Sequence, residues 1–233
     1  LVGSGMVPYN SLIMIDRTRI GQLFSASGAY QPGVAATYNS DVLHGKLAVQ
    51  NGADAIIDEY GVVARGEFKV NGGAQQREGA LGAPDGLACT LGAGYFSDGS
   101  QIGGDDFGSA VALDAHLSFN QLSFFGEVLD MDEELAQKAL GNLTADGTPY
   151  SATVGYLFGN SQWEGALRYQ DMDDDLDTTL IGAGLNYYQS GHDLKYQFNV
   201  SDFDNDSVDG YIFQFGVTLG LGAPSAGCAT CQG

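Results

Sequence analysis

Residues 163 to 200 hold two stretches in which apolar and polar side chains alternate at every step, and a period of two fixes the backbone as extended β. From Trp163, one face carries Trp163, Gly165, Leu167 and Tyr169, and the other carries Glu164, Ala166, Arg168 and Gln170. From Leu194, one face carries Leu194, Tyr196, Phe198 and Val200, and the other Lys195, Gln197, Asn199 and Ser201. Charges and amides fill the second face too densely for an ordinary solvated sheet. They suit a wall with lipid on one side and water on the other, apolar outward and polar inward.

The pattern recurs along the chain. Strands are expected at 33–39, 43–51, 60–70, 87–96, 108–119, 121–129, 150–158, 162–170, 179–188, 194–201 and 211–221, about eleven in all. A further strand, making about twelve, is expected within Met6 to Arg19. Short and long connections take turns: tight ones at Asn120, Gly159 to Ser161 and Gln189 to His192, and acidic ones at Ser97 to Asp106, Asp171 to Asp177 and Asp202 to Ser207. That rhythm predicts an all-β, antiparallel, up-and-down transmembrane β-barrel over residues 1–221, followed by a tail over 222–233. Asn71 to Gly86 breaks the rhythm, being long where a turn belongs. Asp132 to Leu140 is the one convincing helical stretch, with acids in its first turn and Lys138 near its end, and is expected to decorate a loop.

Composition agrees. Gly 35, Tyr 12 and Phe 12 against 5 Pro suit short strands with tight turns, and no apolar run is long enough for a membrane helix. The 29 acidic and 9 basic residues give a formal charge of −20, which excludes nucleic acid as a partner and favours cations. Cys228 and Cys231 form a C-x-x-C in the Gly/Ala/Ser-rich tail, where a local disulfide is one expectation, while Cys89 stands alone in a strand.

On the alternation, the inward, pore-lining ionisable residues are Lys46, Arg65, Glu67, Lys69, Asp114, His116, Glu127, Glu164, Arg168 and Lys195. Each either meets solute or pairs within the wall, as Arg65 could near Glu67. Asp171, Asp173 and Asp175, and separately Asp202, Asp204 and Asp206, space carboxylates two apart. Such oxygen-rich loops can hold calcium, the single cofactor expected, although neither matches an EF-hand; the other reading is solvated loop charge. No catalytic constellation is present: His44, His116 and His192 stand apart, with no H-E-x-x-H or G-x-S-x-G. The chain is therefore expected not to be an enzyme.

Residues 150 to 221 resemble the C-terminal half of the phosphate-selective porins of the O and P type. The resemblance is carried by Trp163, Glu164, Ala166, Arg168 and Tyr169; by Asp171, Asp173 and Asp175; by Gly184, Asn186, Tyr187 and Tyr188; and by Gly191, His192 and Lys195. Pro8-Tyr9, Asp16-Arg17-Thr18 and Gly45 to Gly52 are looser matches. The resemblance implies part of a barrel of about sixteen strands, assembled as a homotrimer in the bacterial outer membrane. It further implies passive diffusion of small hydrophilic solutes or ions, with lipid and lipopolysaccharide around the wall. Phosphate selectivity would need several Arg or Lys at one constriction, whereas the charge total favours a general or mildly cation-preferring pore. Two other readings stay open: a structural envelope barrel anchoring partners in a larger complex, and a soluble β-barrel holding an apolar ligand.

Overall fold

The computed structural model describes residues 12–23, 32–52, 59–73, 78–102, 105–141, 146–159 and 162–220. Eleven antiparallel strands form one sheet in chain order, each paired with its sequence neighbours. They are β1 (Gly33–Asn39), β2 (Leu43–Asn51), β3 (Tyr60–Val70), β4 (Leu87–Ile102), β5 (Asp105–Phe119), β6 (Leu122–Met131), β7 (Tyr150–Leu157), β8 (Trp163–Asp171), β9 (Thr179–Ser190), β10 (Leu194–Asp204) and β11 (Asp209–Leu219). Two short helices accompany them, α1 (Arg19–Leu23) and α2 (Glu133–Ala139).

The two faces of the sheet divide as the alternation requires. Along β8, Trp163 and Leu167 are 44% and 65% exposed, while Glu164 and Arg168 are 0% and 4% exposed. The same holds across β9 and β10, where Ile181, Leu185 and Phe198 face outward and Asn186, Lys195, Gln197 and Asn199 are buried. A soluble barrel would bury the apolar set instead, because burial of apolar surface is what drives a water-soluble fold. Aromatic rings gather near the strand ends of the outer face. Trp163 lies 4.8 Å from Tyr187, Tyr187 6.3 Å from Tyr196, and Tyr156 5.4 Å from Phe158, while Tyr150 and Tyr169 meet at 5.9 Å toward the opposite end. Residues 163 and 169 on β8 are about 20 Å apart along the strand, so two aromatic bands flank an aliphatic belt.

Several details differ from the sequence expectation. Residues 12–23 form no strand: they run as irregular chain into α1, and the remainder of the expected twelfth strand, 6–11, lies outside the described residues. The acidic stretch 97–106 is not an open loop, since β4 and β5 stay paired out to Ile102 and Asp105. Nor is α2 a decoration. Asp132 caps it, accepting from the Leu135 N–H at 3.0 Å, and also accepts from the Ser109 backbone and hydroxyl of β5 at 2.6 Å each. Its Leu135 and Ala136 pack with Ile20, Phe96, Ala112, Leu129 and Met131 against the inner face of β4 to β6. The helix is apolar on one side because it folds inward onto an apolar patch of wall.

Candidate functional site: the filled interior of the sheet

Two segments outside the sheet occupy its concave side. Residues 12–23 cross the inner face, with Ile20 against β4 to β6, Ile13 and Met14 against Ala166 of β8, and Asp16 reaching Gln214 of β11 at 2.5 Å. The connection between β3 and β4 supplies the second segment. Its Glu78 and Ala80 are buried against β8, and the Leu81 carbonyl lies 3.4 Å from His192 Nε2. The inward course of this connection accounts for its length: a tight turn could not reach across the interior.

Glycines make the room. A Cβ at Gly184 would stand 2.7 Å from the Met14 sulfur, and one at Gly182 would stand 2.9 Å from its terminal methyl. A Cβ at Gly79 would meet Glu164 and Ile13 at 2.6 Å.

Four buried charges hold the two segments to β8, β9 and β10. Arg168 donates from Nε to the Thr153 hydroxyl at 3.0 Å, from one terminal nitrogen to the Asp16 carbonyl at 2.7 Å, and from the other to both Glu78 oxygens at 3.1 and 2.9 Å. Glu78 also accepts from the Ile13 N–H at 3.2 Å. Glu164 accepts from the Ala80 N–H at 2.6 Å and from the Tyr188 hydroxyl. Lys195 donates to the Leu12 carbonyl, beside Gln197 at 3.2 Å, while Asn186 donates to the Ile13 carbonyl at 2.9 Å. Charged groups taken out of water persist only when paired and hydrogen-bonded, and here each donor and carboxylate satisfies a backbone group of the inserted chain.

A second network stays within the wall. Arg65 of β3 donates to Glu67 at 2.9 Å and in bidentate fashion to Asp114 of β5 at 2.7 and 2.9 Å, and His44 of β2 lies 3.3 Å from Glu67. This is the intra-wall pairing allowed for from the sequence. Glu127 of β6 accepts from the Ser151 hydroxyl at 3.2 Å and from Thr18 of the inner segment at 2.5 Å. His116 packs edge-on against Phe125, with ring centroids 5.7 Å apart.

Every expected inward residue falls on the inner face. Lys46 pairs in register with Arg65 and is exposed, and Lys69 is half-buried opposite Thr90. Arg65, Glu67, Asp114, His116, Glu127, Glu164, Arg168 and Lys195 are buried. Of the partners that turn wall residues into clamps, Asp16, Thr18 and Tyr188 entered the sequence reading only as motif matches, and Glu78 was not singled out. The long Asn71 to Gly86 connection was the available signal.

The acidic loops do not assemble. Asp171 accepts from the Asp173 N–H at 3.1 Å, Asp173 from the Thr148 N–H at 2.7 Å, and Asp174 from the Thr178 N–H at 2.8 Å. Asp202 and Asp204 end β10 on its outer face. Among the described residues no three acidic, histidine or cysteine side chains come together as a metal site. Cys228 and Cys231 lie outside the described residues, and Cys89 is a buried free thiol in β4.

No family model matches the chain, and no curated protein matches it. Solved structures do. A porin refined at 1.8 Å resolution superposes with a TM-score of 0.55 at 17% identity over 80% of this chain and 60% of its own. The chain has a porin-like fold. OpdK of Pseudomonas aeruginosa, solved with vanillate, gives a TM-score of 0.54 at 14% identity over 79% of this chain and 54% of its own. An improved crystal structure of OccK1 (OpdK) from the same organism gives 0.52 at 13% identity. The chain thus spans between 54% and 60% of the length of these porin structures.

Proposed function

We propose that this chain forms part of the wall of an outer-membrane channel through which small hydrophilic solutes and ions diffuse passively. The observation that carries the reading is the inverted burial: Leu167, Phe198 and Phe213 are exposed outward while Glu164, Lys195 and Asn199 are enclosed. Only lipid makes the first arrangement favourable, and only a polar interior makes the second tolerable. The porin-like neighbours support the same reading, as does the belt between the aromatic bands.

Selection of phosphate has weak support. Arg65 and Arg168 are each engaged by carboxylates, so neither brings a surplus of positive charge to a passing anion. A general pore with a mild preference for cations fits the acid-rich chain better. A trimer is offered on the resemblance and the neighbours' fold.

The test is conductance in planar bilayers under asymmetric potassium chloride. Discrete steps with a small cation-selective reversal potential are expected. Folded protein that inserts but never conducts would overturn the channel reading and favour a structural envelope barrel.

A further inference from the structure

The two inner segments and α2 cover the wall unevenly. Ile15 and Asp16 lie against β11, where a Cβ at Gly216 would stand 3.3 Å from Ile15 and Gln214 meets the Asp16 carboxylate. Ile13 and Met14 cover β8 and β9, and Ile20, Leu135 and Ala136 cover β4 to β6 and reach Val63 of β3. Beyond Val63 the inner face opens. Ala35, Thr37 and Asn39 of β1 share that face with their register partners Ala48, Lys46 and His44, and all three, like Lys46, are exposed.

The lack of a neighbouring strand does not explain the opening. Both edge strands, β1 and β11, pair on one side alone, yet Gln214, Gly216 and Thr218 on the inner face of β11 are half-buried. Lys46 has a strand on either side, with Thr37 and Arg65 as its register partners, and is exposed all the same. Beside it Arg65 is engaged by Glu67 and Asp114, and Glu67 also meets His44. Lys46 is thus the exposed charge on the inner face of β1 and β2.

We propose that solutes cross along the inner face of β1 and β2, past Thr37 and Lys46, and that Lys46 holds the preference for cations down. The proposal rests on the channel reading and adds the route to it. A hydrated solute follows polar wall that is open to water, and the charge it passes sets its selectivity. On the β8 to β10 side it would have to displace backbone groups that Arg168, Asn186 and Lys195 already bind, leaving buried polar groups unpaired. A lysine amine, compact and well hydrated on a flexible stem, biases passing ions without holding them.

The experiment is single-channel recording from cysteine variants treated with charged methanethiosulfonates, in a background carrying Cys89→Ala, Cys228→Ser and Cys231→Ser. Thr37→Cys and Lys46→Cys probe the open wall, and Ser118→Cys, at a buried position on the inner face of β5, probes the covered one. Mass spectrometry reads the extent of modification, and circular dichroism verifies the fold. In Thr37→Cys and Lys46→Cys the trimethylammonium and sulfonate reagents should change the potassium-to-chloride permeability ratio by about twofold or more, in opposite directions, while Ser118→Cys stays at the background value. Lys46→Glu, which needs no reagent, should raise the preference for cations above the parent's. Open-wall cysteines that stay unmodified, or that take up reagent with an unchanged ratio, overturn the route, and so does a Ser118→Cys protein that responds as strongly. A Lys46→Glu protein with the parent's ratio overturns the role of Lys46. Background protein that inserts without conducting sinks the channel reading and the route with it, whereas a conducting background with silent open-wall cysteines sinks the route alone.

Discussion

Replacing Arg168 by methionine should unfasten the interior while leaving the sheet intact. The side chain joins Thr153, the Asp16 carbonyl and both oxygens of Glu78, and the Glu78 side chain is 0% exposed. Methionine roughly keeps the volume but leaves a buried carboxylate without its partner, a change that costs about 3–5 kcal/mol. The segments at 12–23 and 78–82 carry no strand pairing, so the loss falls on their docking. Glu78→Gln should be destabilising too, and the double variant should cost less than the sum, with a coupling of about 2 kcal/mol or more. Denaturant unfolding in micelles, followed by the single tryptophan, Trp163 on β8, measures all four corners of the cycle. Single-channel conductance of the Arg168→Met protein should rise as the interior opens. A coupling within about 0.5 kcal/mol, together with unchanged conductance, would refute the clamp and return Arg168 to the role of an ordinary wall residue.

Leu167 lies on the outer belt, whereas Thr37, in register with Lys46, is an exposed position of the inner face, so an arginine at Leu167 should cost about 2–4 kcal/mol of barrel stability while one at Thr37 costs far less; equal losses in lipid vesicles would contradict the orientation. Leu135→Ala on α2 opens a space in the apolar inner cluster and should lower stability by about 2–3 kcal/mol with noisier open-channel current; a silent variant would mean that α2 is not packed inward. Gly184→Val must displace Met14, and limited proteolysis should then cut within 12–23 faster than in the parent, an effect absent if that segment lies elsewhere.

The strands were legible because a sheet with one apolar and one polar face writes its period into every step. Most boundaries from β1 to β11 agree within about two residues, the usual scatter of such assignments. The exceptions arise in two ways. Residues 97–106 look like a loop because of Gly and Asp, yet pairing with a partner strand overrides local propensity. The expected strand at 6–19 contains Leu12, Ile13 and Met14, whose apolar character reflects burial inside the barrel and not alternation across a sheet. Glu164, Arg168, Asn186 and Lys195 could be assigned to the inner face from parity alone. Their work as clamps could not, since the groups they hold lie far off in sequence: Asp16 is 152 residues from Arg168, and Leu12 is 183 from Lys195. A period reports which side a residue faces, and nothing about which distant segment it will meet there. The porin resemblance picked out these same residues as motif positions without saying what they touch.

The threading of chain through the interior also constrains how the molecule can be assembled. Lys195 and Glu164 would be stranded in a half-made wall if strands rolled up first, because the backbone groups that quiet them arrive from the beginning of the chain and from one long turn. Contacts spanning most of a polypeptide form slowly. Docking of the inner segments should therefore accompany the pairing of β8 to β10 and set its pace.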